Sequence, residues 1–154
     1  MTKIGFLFRD FFLNFCVASF LLLRIGTWTG SGLSDEVLKY TNELRKSKGL
    51  TALVMREDLN AIAHRHSEDM AKGRCSFGHS GYDQRESEAQ RIIKPFYGMA
   101  ENVAFGASTG KEVVSLWKSS PNHRRNMLGN YEYIGIGTAR DSHGAIYYTE
   151  IFVR

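Results

Sequence analysis

Residues 145–153 constrain the fold of this chain more than any other stretch. Ile146, Tyr148 and Phe152 alternate with Tyr147, Ile151 and Val153, so both faces of the strand they form are apolar. A strand of that kind belongs in a sheet covered on both sides. Its partner is the segment 133–140, and Asp141-Ser142-His143-Gly144 between them reads as a hairpin turn. The covering layers must come from upstream, where the apolar spacing becomes helical. Helices followed by strands, with two faces to cover, predict an α/β fold, an α/β/α sandwich.

The upstream helices carry their own punctuation. Ser34 is the expected cap of a first helix with Asp35 and Glu36 in its first turn, an apolar stripe of Val37, Leu38, Thr41 and Leu44, and Gly49 as its stop. A second helix is expected over 57–72, placing Leu59, Ile62, Ala63, His66 and Met70 on one face and His64 on the polar side, and Gly73 ends it. Residues 50–55 connect the two, partly extended. After a polar stretch over 76–86, a short helix is expected over 88–93, closed by Pro95, and then a strand over 101–105. Thr109-Gly110-Lys111-Glu112 has the form of a capping box, with Val113, Val114, Leu116 and Trp117 as the buried face of the helix it opens. Ser120-Pro121 opens one more helix, with Pro121 in the first position, so His123 falls in the first turn.

Residues 1–32 read differently from the rest. Lys3 and Arg9 precede the apolar run Phe11-Phe12-Leu13-Asn14-Phe15-Cys16-Val17-Ala18-Ser19-Phe20-Leu21-Leu22-Leu23, which is short for a bilayer span and fits the core of an export signal. Leu13-Asn14-Phe15-Cys16 also loosely matches a lipidation motif that would acylate Cys16; an uncleaved anchor or a buried helix are the other readings. Residues 33–154 then form one extracytoplasmic domain, secreted or held at the cell surface, touching membrane through the N-terminal segment. Cys75 is the only cysteine in that domain, so it has no internal disulfide and must be held by packing. Half of the formal charge of +4 lies in residues 1–32, and the small basic spot of Lys118, Arg124 and Arg125 does not make a nucleic-acid face.

Two histidines stand in unusual phrases: His79 in Phe77-Gly78-His79-Ser80-Gly81, and His123 in Ser120-Pro121-Asn122-His123-Arg124. Between them lies Ala100-Glu101-Asn102. Two imidazoles and a carboxylate can hold a metal ion or line a polar cleft, and each histidine alone can equally serve loop backbone. Ser80, Ser119 and Ser120 lack the strand-to-helix elbow of a serine nucleophile. Asn102 and Asn126 are expected to satisfy backbone groups around a cleft, and His143 to mark a hairpin tip.

Five phrases in order carry a family resemblance: Gly78-His79-Ser80-Gly81; Ala100-Glu101-Asn102-Val103-Ala104; Trp117 through Ser120-Pro121, His123-Arg124 and Asn126-Met127-Leu128; Tyr131 with Ile134-Gly135-Ile136-Gly137; and Tyr147-Tyr148-Thr149 with Ile151-Phe152. Residues 33–154 resemble the bacterial branch of the CAP superfamily, also called the sperm-coating-protein or SCP domain. The resemblance implies a three-layer α-β-α sandwich with a central, largely antiparallel sheet and a cleft where His79, Glu101 and His123 converge, and Ser120 stands where many eukaryotic members have a second glutamate. It implies a binding or interaction protein whose His79 and His123 take zinc or another divalent metal, or whose cleft takes a small ligand, lipids included. A metal-assisted hydrolase with Glu101 as general base, and an adhesive protein with a remnant cleft, are the alternatives; the single acid weakens the hydrolase first.

Overall fold

The computed structural model describes residues 32–154; the export and Cys16 lipidation readings fall on residues outside that range. Five helices, α1 (Leu33–Lys46), α2 (Glu57–Ala71), α3 (Tyr82–Ile92), α4 (Gly110–Ser119) and α5 (Pro121–Met127), enclose strands β1 (Val54–Met55), β2 (Met99–Phe105), β3 (Tyr133–Arg140) and β4 (Ile146–Val153). The sheet order is β1-β3-β4-β2. β4 pairs antiparallel with both neighbours, whereas the short β1 runs parallel to β3, which makes the sheet mixed. The hairpin predicted at the C-terminus is thus the centre of the sheet, and β2 is an edge.

The two apolar faces of β4 organise the layers. Ile146, Tyr148 and Phe152 join Val37, Val113, Trp117 and Met127 beneath α1, α4 and α5, while Ile151 and Val153 join Leu59, Ile62, Ala63 and Ala89 beneath α2 and α3. Trp117 and Tyr148 meet edge to face at 6.5 Å and are fully buried. Each such side chain contributes about 1.5–3 kcal/mol through burial.

Glycines in β3 set how closely α2 approaches. A Cβ at Gly137 would lie 2.1 Å from the backbone N of His64, and one at Gly135 would lie 2.4 Å from the backbone C of Leu59. Gly137→Ala should therefore force α2 off the sheet and lower unfolding free energy by about 1–3 kcal/mol in urea titration. A change within about 0.5 kcal/mol, the range of neutral surface substitutions, would contradict the close packing.

Several local expectations shift. α1 is capped by Gly32, whose N–H donates to Asp35 Oδ2 at 3.0 Å, so Ser34 lies inside the helix and is not its cap. α3 starts at Tyr82, six residues ahead of the expected start, because its inward line contains Arg85 beside Tyr82 and Ala89 and so lacks an apolar stripe. Leu116 is half exposed: Gly110, Val113, Val114 and Trp117 centre on a line from which it is displaced by roughly 100°. Thr109 does cap α4 through Glu112 N at 3.1 Å, but the Glu112 carboxylate accepts from Ser108 N in place of Thr109 N.

Candidate functional site

The site is built on the edge strand β2, where Glu101 and Asn102 point to opposite faces of the sheet. Opposite Glu101 in the register is Ile151, on the α2/α3 side; opposite Asn102 is Glu150, on the α1/α5 side. Two adjacent residues therefore reach into both halves of the sandwich, and each ties one histidine-bearing segment to the strand.

On the α3 side, the Glu101 carboxyl is buried, with 1% of its side chain exposed. Arg85 grips both of its oxygens, donating from Nε to Oε2 at 2.6 Å and from Nη2 to Oε1 at 2.7 Å. The same guanidinium holds the histidine loop, because Nη1 donates to the Ser80 carbonyl at 2.7 Å. His79 Nδ1 lies 2.8 Å from Glu101 Oε1, a contact that orients the ring of a half-exposed side chain and leaves Nε2 outside the bond. Gly78 and Gly81 flank this loop with φ of 133° and 73°, left-handed values that side chains resist.

His66 supports the same carboxylate from behind. It is buried, its Nε2 lies 2.8 Å from the Gly78 carbonyl and 4.0 Å from Glu101 Oε1, and desolvation followed by the Arg85 charge pushes its pKa down. Tyr82 donates to the Met99 carbonyl at 2.6 Å, and burial, with the carboxylates of Glu86 and Glu101, raises its hydroxyl to about 12. His64 is separate, exposed on the outer side of α2 and bonded to the Thr138 carbonyl. His143 lies exposed in the β3–β4 turn.

On the α5 side, Asn102 Nδ2 donates at 3.2 Å both to the His123 carbonyl and to Glu150 Oε2. Asn126 closes the arrangement, donating from Nδ2 to Asn102 Oδ1 at 2.9 Å and to the Glu101 carbonyl at 3.1 Å. These bonds to the edge strand also occupy backbone that another chain would otherwise pair with. His123 is half-buried, and its pKa is lowered first by desolvation and then by the charge of His79. Ser120 occupies the cap position of α5, ahead of Pro121, with no capping bond from its hydroxyl.

An aromatic shelf adjoins the histidine loop. Phe77, two residues before His79, meets Phe105 at 5.0 Å and Tyr147 at 6.4 Å, and Phe105 stacks on Tyr147 at 5.6 Å. Phe77 and Phe105 are each at least half exposed. Phe105 lies four residues beyond Glu101 on the same strand, about 13 Å away.

Two essential residues escaped the sequence reading. Arg85 was legible only as a charge in phase with Tyr82 and Ala89 on one helix line. Glu150 lies fully buried among Tyr148 and Phe152 and takes a bond from Thr41 Oγ1 at 2.8 Å. An acid in an otherwise apolar strand was its signal.

The sequence model for CAP, the cysteine-rich secretory protein family, matches residues 38–152. The chain belongs to that family. Over 110 residues, 70% of its length, it is 33% identical to the uncharacterized protein YkwD of Bacillus subtilis (strain 168), of which the match covers 42%. An uncharacterized membrane protein of the same organism, YlbC, is 29% identical over 122 residues, 77% of this chain and 34% of its own. The chain thus spans less than half the length of the curated relatives it matches. Among solved structures, an extracellular protein containing an SCP domain from Bacillus anthracis superposes with a TM-score of 0.66 at 26% identity, covering 80% of this chain and 40% of that one. A cysteine-rich secretory protein from Staphylococcus aureus gives 0.64 at 25%, covering 79% and 38%. This CAP domain is not cysteine-rich: among the described residues Cys75 is the only cysteine, and it is free.

The donor set decides how well this CAP domain suits a metal. A catalytic zinc typically takes three protein ligands and an open position. Here Glu101 is occupied by Arg85 and His79, Ser120 offers no carboxylate, and two imidazoles remain. Among the described residues no group of three or more His, Cys, Asp or Glu is arranged to hold an ion. Among the described residues, the side chains gathered here therefore offer two imidazoles and no free carboxylate as a third ligand.

Proposed function

We propose that this CAP domain is an extracytoplasmic binding module, secreted or surface-anchored, whose cleft takes a small amphipathic anion. The observation that carries this reading is the engagement of both Glu101 oxygens by Arg85 and His79, which leaves the imidazoles of His79 and His123 as the uncommitted polar side chains of the three. With its ring protonated, His79 donates from Nε2 to the head of the ligand while Nδ1 stays on Glu101, His123 donates likewise, and the apolar part of the ligand lies on Phe77, Phe105 and Tyr147. Extracytoplasmic placement is supported by the extracellular and secretory descriptions of the relatives from Bacillus anthracis and Staphylococcus aureus, and by the export-like composition of residues 1–32.

The hydrolase reading is weaker on the same observation. A general base needs an oxygen within reach of a water or substrate proton, and both Glu101 oxygens are bound by one guanidinium. A divalent ion remains a second reading, favoured by the His79–Glu101 contact, which matches the way carboxylates orient metal-bound imidazoles. Such an ion would draw its remaining ligands from water or the bound molecule.

Decanoate and acetate separate head from tail. Calorimetric titration should show decanoate binding more tightly than acetate, with His79→Ala or His123→Ala weakening decanoate by about tenfold. An anion beside the His123 ring opposes the effects of desolvation and of the His79 charge and so raises the pKa of His123, which in the free protein lies below the ordinary value of 6.5. Binding therefore takes up protons, and affinity should rise as pH falls through that region. Pure metal recognition predicts the opposite slope, since protonation removes imidazole ligands, and zinc titration of the same variants reads that alternative directly. Decanoate binding equal in all three proteins would end the proposal.

A further inference from the structure

Glu150 is the one fully buried acid on the α1/α5 side of the sheet among the described residues, and it plays no part in contacting a cleft ligand. Its carboxyl has two partners from different layers: Thr41 Oγ1 of α1 at 2.8 Å and Asn102 Nδ2 of β2 at 3.2 Å. The second partner is shared. The same amide nitrogen donates to the His123 carbonyl at an equal 3.2 Å, so one NH2 group spans the core acid and the first turn of α5. The far end of α5 is fixed by a second residue, because Arg45 Nη1 donates to the Met127 carbonyl at 2.8 Å and the Gly129 carbonyl at 2.9 Å. α5 is thus clamped at both ends, and the clamp at the His123 end leads to Glu150.

We propose that Glu150 is a buried positioning residue for His123, whose protonation state sets, through Asn102, how firmly the first turn of α5 is seated. This goes beyond ligand recognition and requires no ligand. A carboxylate accepts more strongly than a neutral acid, so ionising Glu150 draws the shared amide inward and loosens its hold on the His123 carbonyl. The groups facing Glu150 are Thr41 and Arg45 from α1, Asn102 from β2 and Ile136 from β3. Arg45 is the charge acting on it, and that guanidinium is already spent on carbonyls of Thr51, Met127 and Gly129. Desolvation dominates, and the acid titrates at about 8. The seat of His123 should therefore change at mildly alkaline pH, well above the imidazole's own titration.

Heteronuclear NMR of the full chain, with labelled histidine rings and glutamate side chains, tests this between pH 5 and 10. The His123 ring should show an alkaline step near 8 that coincides with titration of the Glu150 carboxyl. Glu150→Gln, which keeps a neutral group of the same shape, should abolish the step. Thr41→Val, which removes a bond favouring the carboxylate, should move it to higher pH. A purely structural acid would give no such displacement. Absence of the step in the unaltered protein, its persistence in Glu150→Gln, or an unmoved midpoint in Thr41→Val each overturns the proposal.

Discussion

Replacing Arg85 with alanine should destabilise this domain by about 3–5 kcal/mol, the cost of leaving a buried carboxylate without its partner. Arg85 is largely buried and Glu101 almost wholly so, and water cannot replace the lost guanidinium. Glu101 would keep only the His79 hydrogen bond and the more distant His66, and the Ser80 carbonyl would lose its donor. On heating, the midpoint should fall by on the order of 10 °C. The double substitution Arg85→Met with Glu101→Leu removes both charges and should recover much of that loss, yet it should leave the His79 ring without its orienting oxygen. Stability and cleft order would then separate: thermal unfolding improves while His79 ring resonances broaden. If Arg85→Ala unfolds within about 1 kcal/mol of the unaltered protein, the range of exposed ion pairs, the pair does not hold the loop as described.

The second large effect concerns pH. Burial raises the Glu150 carboxyl from 4.5 to about 8, so the folded state binds a proton that the unfolded chain has released. The sign follows from linkage: the stability tied to this proton is fully present below 4.5 and is lost as pH rises through about 8. Glu150→Gln carries no such proton, while its amide can meet Thr41 and Asn102. The two proteins should be similarly stable near pH 4.5. The variant should then gain about 1.4 kcal/mol per pH unit, reaching on the order of 4 kcal/mol by pH 9. His66, with its pKa lowered by burial, acts oppositely: its contribution is present above 6.5 and lost as pH falls. Denaturant titrations of both proteins from pH 4 to 9 isolate Glu150, because His66 is common to them. Parallel curves would refute the buried neutral acid.

The parts of the fold that were legible were those in which a single physical preference dominates. β4 could be read because burial on both faces removes polar residues from both positions of its alternation. α2 and α4 could be read because each carries an apolar stripe bounded by a glycine or a cap. α3 resisted because its inward line is built around Arg85, whose partner, Glu101, lies 16 residues away in sequence and on a strand. The parallel pairing of β1 with β3 was equally hidden, since Val54 and Met55 carry too little pattern to specify an edge strand.

The site divides along the same line. His79, Glu101 and His123 stood out by residue type and phrase, and Asn102 and Asn126 serve backbone groups as expected. What the phrases did not contain was hierarchy: the partner that engages both oxygens of Glu101 belongs to a helix with no recognisable motif. Glu150 was hidden for a related reason. A charged residue in a strand suggests an exposed face, and only the packed sheet shows that α1 and β2 close around it.

The most direct measurement of the binding proposal is the location of decanoate on the labelled protein by NMR. The cleft account predicts that decanoate shifts the His79 and His123 rings together with the rings of Phe77, Phe105 and Tyr147, whereas acetate shifts only the histidines. Shifts confined to other surfaces, such as the groove between α1 and α4 lined by Tyr40, Leu44, Val114 and Lys118, with both histidines unmoved, would contradict it.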